Sequence, residues 1–233
     1  MRLLLVILLS WCCGAQAHDV LVLPEAATRG DIARDYLLLG VEHIIGGLDH
    51  LLFVLGLLVI ARTPKRILLA VTGFTLAHSL TLSLSSLGLV SMPIAPVEAV
   101  IALSILFLAH EIARPRADSF AWRQPMLVSF GFGLLHGLGF ASALGDIGLV
   151  RSNVFVSLLF FNLGVELGQV LFILAMLALV ALLRRATARV ARDAVVARPS
   201  GAPPAPRRLD LVAAYLIGVP SAYWLIERVA GFL

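Results

Sequence analysis

Four histidines and three acids sit inside stretches that otherwise read as lipid-spanning helices. Glu42, His43, Asp49 and His50 share one apolar run, and His78, His136 and Glu166 each lie deep in another. Ionisable groups in hydrocarbon are costly, so they face a bundle interior, pair with one another and mark a pathway or a site. Imidazole combined with carboxylate is the ligand set of borderline divalent metals such as Ni, Co, Zn and Cu. One such residue alone is more often a hydrogen bonder between helices. Several at a common depth point to a site that handles a cation.

His43 and His50 are seven residues apart, nearly two helical turns, which predicts one shared stripe with about 10 Å between them along the axis. Glu42 and Asp49 repeat the spacing on the adjacent stripe. Between them lie Gly46 and Gly47. Mid-helix glycines cost stability, but small residues let membrane helices approach closely, so a bend or a tight contact is expected there. Thr75, His78 and Ser79 share a face, Gly131, Gly133, Gly137 and Gly139 surround His136, and Asn162, Glu166 and Gln169 form a polar stripe. Counted from the ends of their helices, His50, His78, His136 and Glu166 fall roughly 16–21 Å deep, near the middle of a ~30 Å core. Glu42 and His43 fall nearer the outer face, as an entrance would, and Glu98 is close to that face as well. His110 and Glu111 at the inner edge, and Asp146 at an outer end, read as interfacial.

The composition requires the same setting. The 233 residues are 60% hydrophobic and 14% charged, with mean hydropathy +0.99, where soluble domains carry about 25% charged residues. The net charge of +4 resides between apolar runs, which argues for membrane orientation and against nucleic acid. Residues 1–17 read as a signal peptide, with Arg2, an apolar core Leu3 to Leu9, and Ala15-Gln16-Ala17 as the cleavage site. Cys12 and Cys13 lie within it, so a cleaved chain has no thiolate ligand to offer. His18 would then become terminal, a weak Cu(II) chelate.

Six apolar segments follow, at about 36–61, 67–90, 95–113, 125–148, 153–183 and 210–230, each about 20 residues or longer and able to cross as a helix. The predicted fold is an all-α polytopic membrane bundle of six transmembrane helices after the signal peptide. Residues 18–34 form a short polar periplasmic segment, residues 35–233 the membrane domain, and residues 186–208 a long Ala-, Pro- and Arg-rich loop. Basic residues cluster in alternate loops: Arg62, Lys65 and Arg66; Arg114, Arg116 and Arg123; and seven arginines from Arg184 to Arg208. The opposite side keeps Arg29, Arg34, Arg151 and Arg228. That bias predicts a multi-pass protein of the cell membrane with both termini outside.

At these residues the chain resembles the HupE/UreJ family of bacterial membrane proteins, particularly its second, broader branch. The matching stretches include Gly40-Val41-Glu42-His43-Ile44, Gly47-Leu48-Asp49-His50-Leu51-Leu52-Phe53 and Phe74-Thr75-Leu76-Ala77-His78-Ser79. Others are Val97-Glu98, Ile101-Ala102-Leu103-Ser104, Phe132 to Phe140 and Phe161 to Gln169. They cover five of the six expected spans in order. Ile44 stands where the better-studied branch has proline after the first histidine. The resemblance implies a bacterial inner-membrane permease for nickel or cobalt, its ligand motif on the first helix being similar to His43 through His50.

The expected protein is therefore a carrier and not an enzyme. It holds no fixed cofactor, takes a divalent transition metal as substrate (nickel or cobalt, with zinc and copper as further candidates), and has the bilayer as its partner. Glu42 and His43 would capture the ion; Asp49, His50, His78, His136 and Glu166 would hold it transiently. Two rivals remain open: an intramembrane metal-dependent hydrolase, with Ser79 nearby, and a non-transporting metal sensor or assembly factor using the Arg-rich loop.

Overall fold

The computed structural model describes residues 28–116, 118–147, 153–188 and 208–232. The expected signal peptide, His18 and nearly all of the Arg-rich loop lie outside the described residues, as does the side chain of Asp146. Every regular element among the described residues is a helix: α1 (Arg29–Gly46), α2 (Leu48–Ala61), α3 (Pro64–Ser86), α4 (Ile94–Ala113), α5 (Phe120–Arg123), α6 (Pro125–Ile147), α7 (Val154–Ala188) and α8 (Arg208–Ala230).

Three boundaries differ from the sequence expectation, each for a local reason. The polar segment predicted to run to residue 34 is already helical from Arg29, because Thr28 and Asp31 form a capping box. The Asp31 amide donates to Thr28 Oγ1 at 3.3 Å while the Thr28 amide donates to Asp31 Oδ2 at 2.9 Å, which satisfies helix-terminal groups from both directions. The first span is not one continuous helix. It breaks at Gly47 (φ −83°, ψ 100°), and α1 and α2 meet there with a bend of 74°. Finally, α7 continues to Ala188, so it is about 50 Å long and exceeds the hydrocarbon thickness.

By length and composition α3, α4 and α7 can each cross a membrane, and the bent pair α1–α2 makes a fourth span if counted as one. The expected six are thus not all evident as long apolar helices. The apolar stretch of α6 is the short Pro125–Phe140, and α8 carries Asp210 and Arg228 in its terminal turns.

The interior is polar at its centre and the exterior is greasy. His50, His78, His136, Asn162 and Gln169 are buried, whereas Leu76, Phe155, Val219 and Ile226 are exposed. Histidines enclosed by an apolar core, with large apolar side chains also spread over the exterior, suit a lipid surround.

Three helix pairs make the most extensive contacts, α3 with α6, α1 with α7, and α4 with α8, and α2 packs among them. Two of these pairs meet backbone to backbone. A β-carbon on Gly40 would lie 2.1 Å from the Phe161 carbonyl oxygen, and one on Gly164 would lie 2.1 Å from that of Leu37. On α6, a β-carbon at Gly137 would lie 2.4 Å from the His78 carbonyl oxygen. The missing side chains bring α1 onto α7 and α6 onto α3, and so bring the histidine-bearing segments together.

Ion pairs tie the ends. Arg62 reaches Asp210 at 3.5 Å and lies 4.6 Å over the Trp122 ring. Arg66 donates to the carbonyl oxygens of Trp122 and Arg123. Elsewhere Arg228 pairs with Glu98 at 2.7 Å. The start of α8 therefore meets the end of α2, and its end meets the start of α4, as alternating antiparallel helices require.

Candidate metal centre

The bend at Gly47 changes what the first-span histidines can do. A straight helix would separate His43 and His50 by two turns, but their ring centroids are 4.4 Å apart. The His78 ring lies 6.1 Å from that of His43, and the His136 ring 5.2 Å from that of His50. Four imidazoles from α1, α2, α3 and α6 thus converge. Donor atoms of His43, His50 and His78 lie within 4.8 Å of one another, and so do those of Asp49, His50 and His136.

Hydrogen bonds on the far side of three rings assign their tautomers. The His50 Nδ1–H donates to Asp49 Oδ1 at 3.1 Å. For His78, the Asn162 amide nitrogen is committed to the Leu158 carbonyl at 2.7 Å, so its Oδ1 faces His78 Nδ1 at 3.2 Å and accepts. For His136, the Ser104 hydroxyl spends its proton on the Ile101 carbonyl at 2.6 Å, leaving its oxygen to accept from His136 Nε2–H at 3.4 Å. The remaining nitrogens, His50 Nε2, His78 Nε2 and His136 Nδ1, are buried with no hydrogen-bond partner among the described residues. Each carries a lone pair directed into a dry interior, a costly arrangement for any group left unpaired. Ring nitrogen anchored on one side and lone pair offered on the other is how imidazole is presented to a metal.

Aromatic rings wall the cluster. Phe140 lies 3.8 Å and Phe161 5.5 Å from His43, and these two phenylalanines stack at 5.1 Å. On the other side Phe53 and Phe74 lie 5.2 and 5.1 Å from His136.

The other expectations for the site divide. His43, expected near the outer mouth, is within the cluster because the chain turns back at Gly47. Glu42 is exposed on α1 and belongs to neither trio. Glu166 is half-buried and accepts from the Thr72 hydroxyl at 2.8 Å, with Gln169 accepting from Thr75 at 3.0 Å beside it. The stripe Asn162–Glu166–Gln169 thus divides: Asn162 supports a cluster histidine, while the other two bridge α7 to α3. Ser79 donates to the Thr75 carbonyl at 2.6 Å, which engages its hydroxyl in the helix. At the edge, Glu111 accepts from Ser119 and its carbonyl from Trp122 Nε1, in keeping with an interfacial place. Sequence reasoning did not single out Ser104, Thr72 or the Phe140–Phe161 stack. For Ser104 a signal existed, since one hydroxyl inside the apolar run of α4 has the same polar-in-apolar character as the histidines.

Neither a curated protein nor a solved structure matches the chain. The family model described as HupE / UreJ protein matches residues 19–228, nearly its whole length. That family is associated with metal transport across membranes and not with catalysis. A chain whose described residues form helices, with histidines from four of them gathered inside the bundle, belongs, on this match, to the HupE/UreJ family.

Proposed function

We propose that the chain is a permease for a divalent transition metal ion, nickel or cobalt by its family, in the bacterial inner membrane. In this reading α1–α2 together, α3, α4, α6, α7 and α8 make six crossings with both termini outside, the arrangement favoured by the arginine-rich loops. The cargo passes inward through the histidine cluster. One observation supports this above the rest: three buried imidazoles from three helices each have one nitrogen anchored and the other without a partner.

The chemistry fits a carrier. Imidazole nitrogens bind divalent first-row metals at about 2.0–2.1 Å, and one carboxylate beside several neutral rings offsets part of the charge of a dehydrated M²⁺. The trios are looser than a closed coordination shell, and a transport site must strip water from its ion and yet release it. Protonation of a ring removes its lone pair, so a more acidic side favours release.

The test is uptake by the purified protein in proteoliposomes, with Ni²⁺ and Co²⁺ offered outside and a chelating fluorophore inside. Uptake above that of empty vesicles, abolished by His50→Ala and by His78→Ala, is the expected result. Wild-type vesicles no more permeable than empty ones would overturn the reading.

A further inference from the structure

The five donors do not form one shell. Donor atoms on opposite sides of a single ion are separated by at most about 4.2 Å, twice the metal–nitrogen bond. Among the described residues the candidate sets are two trios, His43–His50–His78 and Asp49–His50–His136, with only His50 in common. His50 lies between its neighbours, 4.4 Å from His43 and 5.2 Å from His136 by ring centroid. Its Nε2 is buried without a partner and its Nδ1 bonds Asp49 at 3.1 Å, so it offers Nε2 to the first trio and would share an ion with Asp49 through Nδ1 once that hydrogen bond opens.

Phe74 stands between the trios, 5.9 Å from His78 and 5.1 Å from His136, and the other rings divide between them. The rings nearest His43 are Phe140 and Phe161, and those beside His136 are Phe53 and Phe74. Phe140 follows His136 on α6 by four residues and Phe53 follows His50 on α2 by three. These helices run in opposite directions in the six-crossing arrangement, so Phe140 lies outward of the cluster and Phe53 inward of it.

We propose that the cluster is two successive positions for one ion, an outer one of three imidazoles and an inner one of two imidazoles and a carboxylate, with His50 as the ligand common to both. The inference rests on the permease reading. Movement exchanges His43 and His78 for Asp49 and His136, and His50 changes the nitrogen it presents. A neutral imidazole has one ring-nitrogen lone pair, on Nε2 or on Nδ1, so with His50 neutral the two positions are occupied alternately. Binding in the inner position adds a carboxylate and replaces a nitrogen with an oxygen in the coordination sphere, a change visible in the electronic spectrum of Co²⁺.

The experiment combines Co²⁺ titration of the detergent-purified full chain, read by visible absorption, with uptake by the same preparations in vesicles. His43→Asn should leave one Co²⁺ bound with the spectrum of a mixed nitrogen and oxygen site. His136→Asn should leave one Co²⁺ bound with an all-imidazole spectrum. Both should lose uptake, and His50→Asn should lose binding and uptake together. If either histidine variant does not elute as a monodisperse folded species, His78→Gln replaces the first and Asp49→Asn the second, since each opens the same trio. If His43→Asn and His136→Asn each abolish binding as fully as His50→Asn, or give identical spectra, the ion has a single position. Uptake retained in either variant would equally overturn the inference. In both cases wild-type uptake persists and the permease reading stands; wild-type protein that neither binds Co²⁺ nor moves it would defeat both.

Discussion

His43 and His50 are separated by seven residues, yet their rings stand 4.4 Å apart because the chain turns by 74° at Gly47 between them. A bend converts a stripe into a pocket. The helix ahead of the break ends with the Gly47 amide donating to the His43 carbonyl at 3.0 Å, and the next helix begins at once with Asp49 and His50 in its first turn. Local backbone geometry thus fixes the position of two imidazoles and a carboxylate.

Substitution at this position has a specific consequence. A β-carbon on Gly47 would lie 2.7 Å from His50 Nδ1, 2.8 Å from the His43 carbonyl oxygen and 3.1 Å from Asp49 Oδ1. It intrudes on the hydrogen bond that orients His50. Gly47→Ala should therefore lower metal affinity by about tenfold or more, the usual cost of disturbing a group that orients a ligand. Isothermal titration of the purified protein with Ni²⁺ measures this, and an unchanged affinity would contradict the assigned role of the His50–Asp49 contact.

Asn162 and Ser104 make a complementary case, because neither is placed to bind the ion. Asn162→Leu leaves His78 Nδ1 buried without an acceptor, and Ser104→Ala does the same for His136 Nε2. Each should reduce metal affinity by about 10–100-fold while helix content is preserved. Asn162→Asp keeps an acceptor in place and should bind metal more tightly than the leucine variant. The comparison of the three affinities separates an orienting role from simple loss of packing, which the leucine side chain would largely restore.

The polar chemistry was legible in the sequence for a simple reason: imidazole within a run of leucines stands out whatever the tertiary structure. The helical class and the membrane setting followed from apolar run length. Which residues meet did not follow, because it depends on helix pairing across long stretches of chain. Glu166 shares a stripe with Asn162, yet a small difference in azimuth turns it towards Thr72 and away from the imidazoles. His43 looked like an entrance residue only because the count along the helix assumed a straight axis. Gly46-Gly47 signalled the bend, but a pair of glycines serves equally for close packing, and only the backbone at Gly47 decides between them. The early start of α1 at Arg29 had a readable cue in Thr28 and Asp31, three residues apart.

The glycines range from those that meet backbone, through those that meet side chains, to those that meet nothing. Gly164→Leu must displace the α1 backbone, since even a β-carbon would fall 2.1 Å from the Leu37 carbonyl oxygen. The cost should exceed the ~1–3 kcal/mol of an ordinary overpacked interior, because a main chain yields less readily than a side chain. At Gly131, with nothing within 4 Å of the added carbon, Gly131→Ala should be neutral or stabilising through its better helix propensity, by about 1 kcal/mol. Thermal unfolding in detergent, followed by circular dichroism, should show a large fall for the first and none for the second.

Glu166 provides the sharpest separation between reading the sequence and reading the structure. As a ligand, it would lose metal affinity on conversion to Gln, since an amide is a poorer donor than a carboxylate. In the structure its Oε1 accepts from Thr72 Oγ1 at 2.8 Å, and it belongs to neither donor trio. An amide oxygen can accept the same hydrogen bond, so Glu166→Gln should leave equilibrium Co²⁺ affinity and spectrum unchanged. Glu166→Leu instead removes the acceptor and strands the Thr72 hydroxyl, which can turn back to its own helix, so its cost should appear as a lower unfolding temperature and not as weaker binding. Loss of Co²⁺ affinity in the Gln variant would place the carboxylate in the coordination sphere after all, and would require α7 to move towards α2 when the ion binds.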